Sequence, residues 1–286
     1  MLSTVYRRPR CATIPVPMND DVFSRALACL RAPDPAAKVA LVEGLQADWR
    51  ADRLTLDEPP GLPGLEQPGR PARPVLVAPR ELPKRGMGSA EGRAALIHAV
   101  AHIELNAIDL AVDAVFRFRA MPAAFHADWI GVAAEEALHF GLVRDRLRDL
   151  GYDYGDFPAH DGLWSLARDT AYDPLARMAL IPRVMEARGL DVTPGMIERF
   201  RAVGDLDTVA ALNVILRDEV GHVRTGSRWL RFLCERRGLD PETTYFELLE
   251  RHLGGAVRCP LDREARRRAG FSESELDHLE ELCAGS

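Results

Sequence analysis

One ligand-like pattern occurs twice in this chain: a glutamate in an apolar stretch, followed at nearly the same separation by Glu-x-x-His. Residues i and i+3 lie on one face of a helix, so the Glu and His of each pair can reach one metal ion together. In a di-metal four-helix bundle, two helices supply one Glu each and the other two supply Glu-x-x-His. The six residues are, in chain order, Glu104, Glu136, His139, Glu186, Glu219 and His222.

The surroundings of these residues favour metal ligation over chance. Glu104, Glu136 and Glu219 each fall in an apolar stripe at helical spacing, which would turn the carboxylates toward a core. A buried carboxylate without a partner is strongly destabilising, so metal ligation explains the pattern better than structural ion pairing, which stays the alternative. A third copy, Glu275/His278, lies in a polar segment and shows that such pairs also arise by chance.

The third ligand helix has the weakest pattern of the four. Pro182 lies four residues before Glu186 and Gly189 follows it closely, so the helix either bends there and turns Glu186 inward or ends. Glu198 is the alternative ligand on this segment, but its neighbours are more typical of a surface. We therefore predict Glu186 as the ligand.

Residues beside the ligands suggest an outer layer of hydrogen bonds. Asp218 and Glu135 each precede a ligand Glu, and either carboxylate could accept the outer imidazole N–H of a ligand histidine on another helix. For Glu135 a solvated surface charge is an equal alternative. His98 and His102 share a face that does not hold Glu104, and we interpret them as helix-packing residues rather than ligands.

The donor set restricts the choice of metal. Four carboxylates balance two divalent cations, and hard oxygen donors combined with imidazole favour iron, manganese or zinc over calcium. The prediction is two iron ions, with manganese or a mixed iron and manganese pair as alternatives. Five large apolar residues lie near the ligands in sequence and are candidate pocket residues, with ordinary core packing as the alternative for each. They are Trp129, Phe140, Met178, Met185 and Trp229.

Composition limits the classes of protein that fit. The net charge of −6 gives no general support for nucleic-acid binding, and the basic runs at residues 7–10 and 263–268 are typical of solvated faces. Five scattered cysteines without a C-x-x-C argue against a disulfide framework and a zinc finger. No apolar segment follows the basic start, and no run reaches the roughly 20 apolar residues of a membrane span. We therefore expect a cytoplasmic protein without a membrane partner.

Helical patterns dominate the 286 residues, so the predicted fold class is all-α. We predict an N-terminal region (1–88) with a helical pair and a proline-rich strap at 58–85, a four-helix bundle (89–238) and a C-terminal helical extension (239–286). Ser89 is a predicted N-cap, and Gly151 and Gly238 are predicted helix ends. The bundle helices are expected at residues 90–120, 123–150, 174–188 with a continuation at 194–203, and 206–237. A short helix at 242–252 and a polar tail follow.

Three sequence segments resemble one branch of the ferritin-like di-iron carboxylate superfamily, a branch of unknown function. They are HAVAHIELNAIDLAVDA, EEALHFGLVRDRL and RDEVGHVRTGSRWL. The similarity extends to PRELPKRGMGSAEGRAALIHA and REARRRAGFS, and it covers most of the chain after about residue 34. The resemblance implies a ferritin-like four-helix bundle and the six-ligand di-iron site, although the sequence around Glu186 departs from the usual family sequence. Better-understood relatives with a similar ligand order are bacterial hydroxylases of isopentenylated adenosine in tRNA.

The residues and the resemblance leave several functions open. The first is an O₂-dependent di-iron oxidoreductase, a monooxygenase or oxidase, acting on a small-molecule or modified-base substrate with an unidentified electron donor. The second is a ferroxidase or other iron-handling protein, and the third is a metal-stabilised structural protein without turnover. The segments added to the bundle favour the enzyme, because they can cover a substrate pocket. The net acidity disfavours tRNA, and the oligomeric state stays open.

Overall fold

The computed structural model describes residues 20–82 and 86–284, and within them the chain is all-α with no strand, as predicted. The predictions about residues 1–19, including the basic run at 7–10, and about 83–85 of the strap concern parts of the chain outside the described residues. The α-helices are α1 (Val22–Arg31), α2 (Pro35–Arg50), α3 (Ala90–Arg117), α4 (Ala123–Asp149), α5 (Gly162–Asp169), α6 (Pro174–Leu180), α7 (Ala187–Ala202), α8 (Leu206–Arg237), α9 (Pro241–Leu253), α10 (Arg263–Arg268) and α11 (Glu273–Ala284). A 3₁₀ turn spans Pro79–Glu81, and a π-helical turn spans Ile181–Glu186.

Four long helical segments form the core: α3, α4, the segment from α6 through α7, and α8. The most extensive packing is between α3 and α4, followed by α7 with α8, and α4 also packs on α8. The predicted caps hold the ends of these helices. Ser89 accepts the Gly92 N–H at the start of α3 over 3.0 Å, and Gly151 and Gly238 take positive φ angles of 83° and 65° after α4 and α8.

The third segment differs from its prediction because it does not break at Gly189. It is helical from α6 through the π-helical turn to the end of α7. A π turn accommodates one extra residue, and here it accommodates Pro182, which has no N–H to donate. Gly226 of α8 makes this possible, since a Cβ at that position would lie 2.2 Å from the Pro182 Cγ. The proline therefore shifts the helix without ending it, and Glu186 at the end of the turn is buried.

The N-terminal helical pair and the strap lie against the bundle. Helix α1 packs on α3, and α2 packs on α4. A buried ion pair joins Lys38 of α2 to Asp109 of α3. Residues 53–82 run mainly as extended chain, and the Trp164 indole N–H donates to the Glu66 carbonyl over 3.0 Å. The strap is therefore fixed to the bundle by hydrogen bonds.

The C-terminal segment is more ordered than the predicted polar tail. Helices α10 and α11 fold back on the bundle and bury Phe271, Leu276 and Leu279. Cys259 and Cys283, 24 residues apart, form a disulfide, although the scattered cysteines predicted no disulfide framework. The spacing of cysteines in sequence could not show it, because the contact depends on how the tail folds back. The cytoplasmic location stays a prediction.

Helix α3 is the one described helix long and apolar enough to cross a membrane by length and composition, contrary to the expectation that no such run exists. However, 83% of its most apolar window is buried inside the protein. This helix also carries the buried Glu104, Asp109 and Asp113. Its apolar character therefore matches its position in the core of the bundle.

Candidate metal centre

The structure brings five of the six predicted ligands into two overlapping groups. Glu104, Glu136 and His139 form one group, and Glu136, Glu219 and His222 form the other. Within each group, ligand atoms from the three residues lie within 4.8 Å of one another. All five side chains are buried. Glu136 of α4 therefore belongs to both groups.

The two oxygens of Glu136 face different imidazoles. Its Oε2 lies 3.3 Å from His139 Nδ1, and its Oε1 lies 2.9 Å from His222 Nδ1. Glu104 Oε2 is 3.3 Å from the same His139 nitrogen, and Glu219 Oε2 is 3.7 Å from the same His222 nitrogen. Each half of the centre thus has one imidazole Nδ1, one terminal carboxylate and one oxygen of the shared carboxylate.

The outer imidazole nitrogens contact carboxylates on the opposite helix, as predicted. His139 Nε2 of α4 lies 3.2 Å from Asp218 Oδ2 of α8, and His222 Nε2 of α8 lies 2.8 Å from Glu135 Oε2 of α4. A carboxylate can only accept here, so each Nε2 carries the proton. Such a partner fixes the tautomer and orientation of a ligand imidazole, and it leaves each Nδ1 facing the inner carboxylates.

Glu186 is buried beside the centre but lies outside the two compact groups. Burial, followed by repulsion from Glu219 and Glu136, raises its pKa well above the usual value. This repulsion reflects the proximity of Glu186 to the other carboxylates. Glu198, the alternative ligand, is 68% exposed and pairs with Arg201. Of the two candidates on this segment, Glu186 is the one buried beside the centre, and its role as a ligand stays a prediction.

Buried carboxylates lie close to one another in this cluster. Burial, together with repulsion from Glu136, raises the pKa of both Glu104 and Glu219. Burial alone would lower the pKa of His139, but its hydrogen bonds to Glu104 and Glu136 outweigh burial and raise the pKa to about 10. Positive charge at the centre, whether carried by protons or by metal cations, relieves this repulsion.

The residues present fit a pair of metal ions. Several buried side-chain atoms here make no hydrogen bond of acceptable geometry, although Glu136 Oε1 and His222 Nδ1 lie only 2.9 Å apart, and a buried polar atom without a hydrogen bond is costly. They are Glu104 Oε2, Glu136 Oε1, Glu186 Oε2, Glu219 Oε2 and His222 Nδ1. Four carboxylates and two imidazoles are the donors that iron, manganese and zinc accept in helical bundles. The orphaned atoms are therefore explained if they are ligand atoms.

The other acidic and histidine candidates have structural partners. His102 Nδ1 lies 2.8 Å from the Tyr154 hydroxyl, and the Gly155 N–H donates to His98 Nε2 over 2.9 Å. Both histidines thus support the loop after α4, in agreement with a packing role. Glu275 is buried, but Arg183 pairs with it at 2.7 Å, so the third Glu-x-x-His copy belongs to no ligand group of the described residues.

A cavity of about 400 Å³ lies beside α3 and the π-helical turn. Of the five predicted pocket residues, Met185 lines this cavity, whereas Trp129, Phe140, Met178 and Trp229 are buried in the core. Much of the remaining wall comes from α9 and the segment after it. The sequence analysis missed these residues, because their place depends on the folding back of the C-terminal extension.

Comparison with known proteins gives a family without an assigned activity. An uncharacterized protein from Haemophilus influenzae is 47% identical over 219 residues, which cover 74% of this chain and 76% of that protein. No solved structure matches the chain. A family model described as "Protein of unknown function (DUF455)" matches residues 31–277, a range that contains all six predicted ligands. The chain therefore belongs to the DUF455 family.

Proposed function

We propose that this chain is a di-iron carboxylate protein that activates O₂ to oxidise an organic substrate. The observation that carries the proposal is the position of Glu136, whose two oxygens face the Nδ1 atoms of two histidines on different helices. A structural ion pair needs one carboxylate per imidazole, whereas this centre places three buried carboxylates around two imidazoles and a fourth beside them.

The predicted ligands would hold the two ions as follows. Glu104 and His139 would hold one ion, Glu219 and His222 would hold the other, and Glu136, which belongs to both groups, would contribute to both, with Glu186 as the remaining carboxylate. Two ferrous ions in this site would supply the electrons and the open coordination positions that O₂ activation requires. Burial of every ligand excludes bulk water from the centre and keeps the carboxylates pointed inward.

The order of ligands along the chain supports placement in the ferritin-like superfamily. One Glu comes from α3, Glu-x-x-His from α4, one Glu from the π-helical turn, and Glu-x-x-His from α8. This arrangement of donors on four packed helices is the one known from ferritin-like di-iron and di-manganese proteins. A member specialised for iron storage needs little beyond the bundle. The cavity and its covering C-terminal helices therefore favour an enzyme that holds an organic substrate.

The first experiment is the metal content of the purified protein, followed by anaerobic Fe(II) loading and exposure to O₂. We expect two ions per chain and a change in the visible absorption spectrum on oxidation. Glu136→Ala and His222→Ala should lose most of the metal, because each removes a donor buried in the centre. Glu198→Ala is the matched control, since that carboxylate is exposed on the same bundle.

Different outcomes separate the candidate functions. Two ions bound by the Glu136→Ala and His222→Ala variants would refute the ligand assignment. Repeated Fe(II) oxidation with release of ferric iron would indicate an iron-handling protein. Metal that raises thermal stability without O₂ consumption in the presence of any reductant would indicate a structural centre.

A further inference from the structure

The cavity beside α3 lies close in sequence to two ligand residues. Ile103 of α3 and Met185 of the π-helical turn both line it, and each is the residue immediately before a predicted ligand. Ile103 is 49% exposed, which is unusual for a large apolar side chain on a core helix. The cavity therefore opens between the two helices that carry the single glutamates of the centre.

The wall of the cavity is apolar and cationic, although the chain as a whole is acidic. Among the described residues that line it, none is an aspartate or glutamate, whereas four are arginines: Arg183, Arg188, Arg258 and Arg266. Most of the other lining residues are aliphatic. In a chain with a net charge of −6, a cavity without carboxylates selects against cationic ligands.

Two of the four arginines are neutralised within the protein. Arg183 pairs with Glu275 at 2.7 Å, and its guanidinium lies over Tyr245 with 4.4 Å to the ring centroid. Arg266 makes two hydrogen bonds to the Asp191 carboxylate, of 2.9 and 2.7 Å. These two side chains build the wall and each has a carboxylate partner, although Asp191 also lies 3.6 Å from Arg188 and is therefore shared by two arginines.

The other two arginines, Arg188 and Arg258, differ in their contacts. Arg188 Nη1 donates to the carbonyl oxygens of Arg258 and Pro260 over 3.0 and 2.9 Å, and so it fixes the segment that carries Arg258. The Arg258 side chain itself is exposed, and no described residue forms an ion pair with it. Arg188 thus fixes the backbone that carries Arg258, and the exposed Arg258 guanidinium lines the cavity with its hydrogen-bond donors free.

We propose that this cavity binds a small amphipathic carboxylate, with the apolar chain or ring against Ile103 and Met185 and the carboxylate on Arg258. The assignment rests on the proposed function, for which it names the substrate class. A planar guanidinium matches a carboxylate with two parallel hydrogen bonds. Among the four lining arginines, Arg258 is the one that no carboxylate of the described residues contacts, so a ligand carboxylate would supply its missing partner. The volume of about 400 Å³ is within the range of small-molecule sites.

The test is competitive binding to the purified, metal-containing protein. The probe is 8-anilinonaphthalene-1-sulfonate fluorescence, and the competitors are decanoate, decyl phosphate, decanol and decyltrimethylammonium. We expect decanoate to displace the probe at concentrations at least about tenfold lower than decanol, through one charge-assisted contact. Decyl phosphate should bind more weakly than decanoate, and decyltrimethylammonium most weakly of the four.

Three variants locate the site. Arg258→Gln should weaken decanoate binding about tenfold and leave decanol binding unchanged. Arg251→Gln is the matched control, because Arg251 is an exposed arginine of α9 that does not line the cavity. Ala99→Phe, which fills the cavity from the rigid helix α3, should abolish the binding of decanoate and decanol while the circular dichroism spectrum stays unchanged.

The results are decisive in either direction. Equal displacement by decanol and decanoate, stronger binding of decyl phosphate, no displacement at all, or unchanged decanoate binding in Arg258→Gln would overturn the proposal. Metal content and O₂ consumption are measured on the same samples. Carboxylate binding without metal would refute the proposed function and leave the binding site standing. Bound metal and O₂ consumption without carboxylate binding would refute the binding site and leave the proposed function standing.

Discussion

The carboxylates Asp218 and Glu135 should control metal affinity although neither is predicted to contact the metal. Each accepts a hydrogen bond from the outer nitrogen of a ligand histidine on the opposite helix, at 3.2 and 2.8 Å. We expect Asp218→Asn and Glu135→Gln to keep the fold and the ligand set. Each amide can present its NH₂ group to the Nε2 atom and thereby favour the wrong tautomer, with the proton on Nδ1.

The size of the effect follows from the geometry. Loss of an outer partner of a ligand histidine typically weakens metal binding about 10- to 100-fold. Glu135 is about half exposed and Asp218 also pairs with Arg217, so both substitutions belong at the lower end of that range. About tenfold corresponds to about 1.4 kcal/mol per variant. The double variant should lose about a hundredfold, because the two carboxylates act on different imidazoles.

The assay is a titration with Mn(II) or Fe(II) against a chelator of known affinity, under anaerobic conditions for iron. Arg217→Gln serves as a control, since it removes a neighbour of Asp218 that has no direct contact with a ligand histidine. Metal affinities equal to wild type in both single variants would show that the outer carboxylates do not orient the histidines, and the reasoning would be wrong.

Three further predictions concern stability. Gly226→Ala should destabilise the protein by at least about 1–3 kcal/mol, because the new Cβ would overlap Pro182. Gly221→Ala on the same helix meets no neighbour and should stabilise the protein by about 0.5–1 kcal/mol. Chemical denaturation measures the free energy of unfolding of both variants. Lys38→Met should cost about 3–5 kcal/mol at pH 7.5 by leaving Asp109 unpaired. Burial raises the pKa of Asp109 to about 6 even with Lys38 present, so the Asp109 carboxyl of the variant is neutral at pH 5. The loss of stability caused by Lys38→Met should therefore be smaller at pH 5 than at pH 7.5. A loss of stability that does not depend on pH would contradict this prediction. Removal of metal by a chelator should lower the Tm by about 8 °C if the metal had been present at about a thousandfold above its Kd, and an unchanged Tm would argue against a bound metal.

The bundle and most of the centre could be predicted from the sequence because they depend on local rules. Helices α3, α4 and α8 follow from apolar periodicity and from caps such as Ser89 and Gly238, and their bounds agree with the expected ones within a few residues. The ligand pairs follow from the spacing i, i+3. The partners Asp218 and Glu135 follow from the same rule, because the residue before a ligand faces a neighbouring helix.

Other features depend on contacts between distant parts of the chain. The path of the helix through Pro182 depends on Gly226 in another helix, so local propensity left two outcomes open. The tail from residue 257 onward is polar in composition, but it packs through a few apolar side chains and through Arg266 on Asp191. The arginine-lined cavity exists only once that packing has formed, and no pattern near the ligands could have shown it.

The crossed contacts between His139 and Asp218 and between His222 and Glu135 also set the register of α4 against α8. A slide of one helix by a single turn, about 5.4 Å, would break both contacts and move Glu136 away from one of its imidazoles at the same time. Neither helix can shift alone without losing all three interactions. The longitudinal alignment of these two helices is therefore encoded twice, once from each side, by a five-residue motif that is repeated in the chain: an acidic residue, Glu, two intervening residues and His.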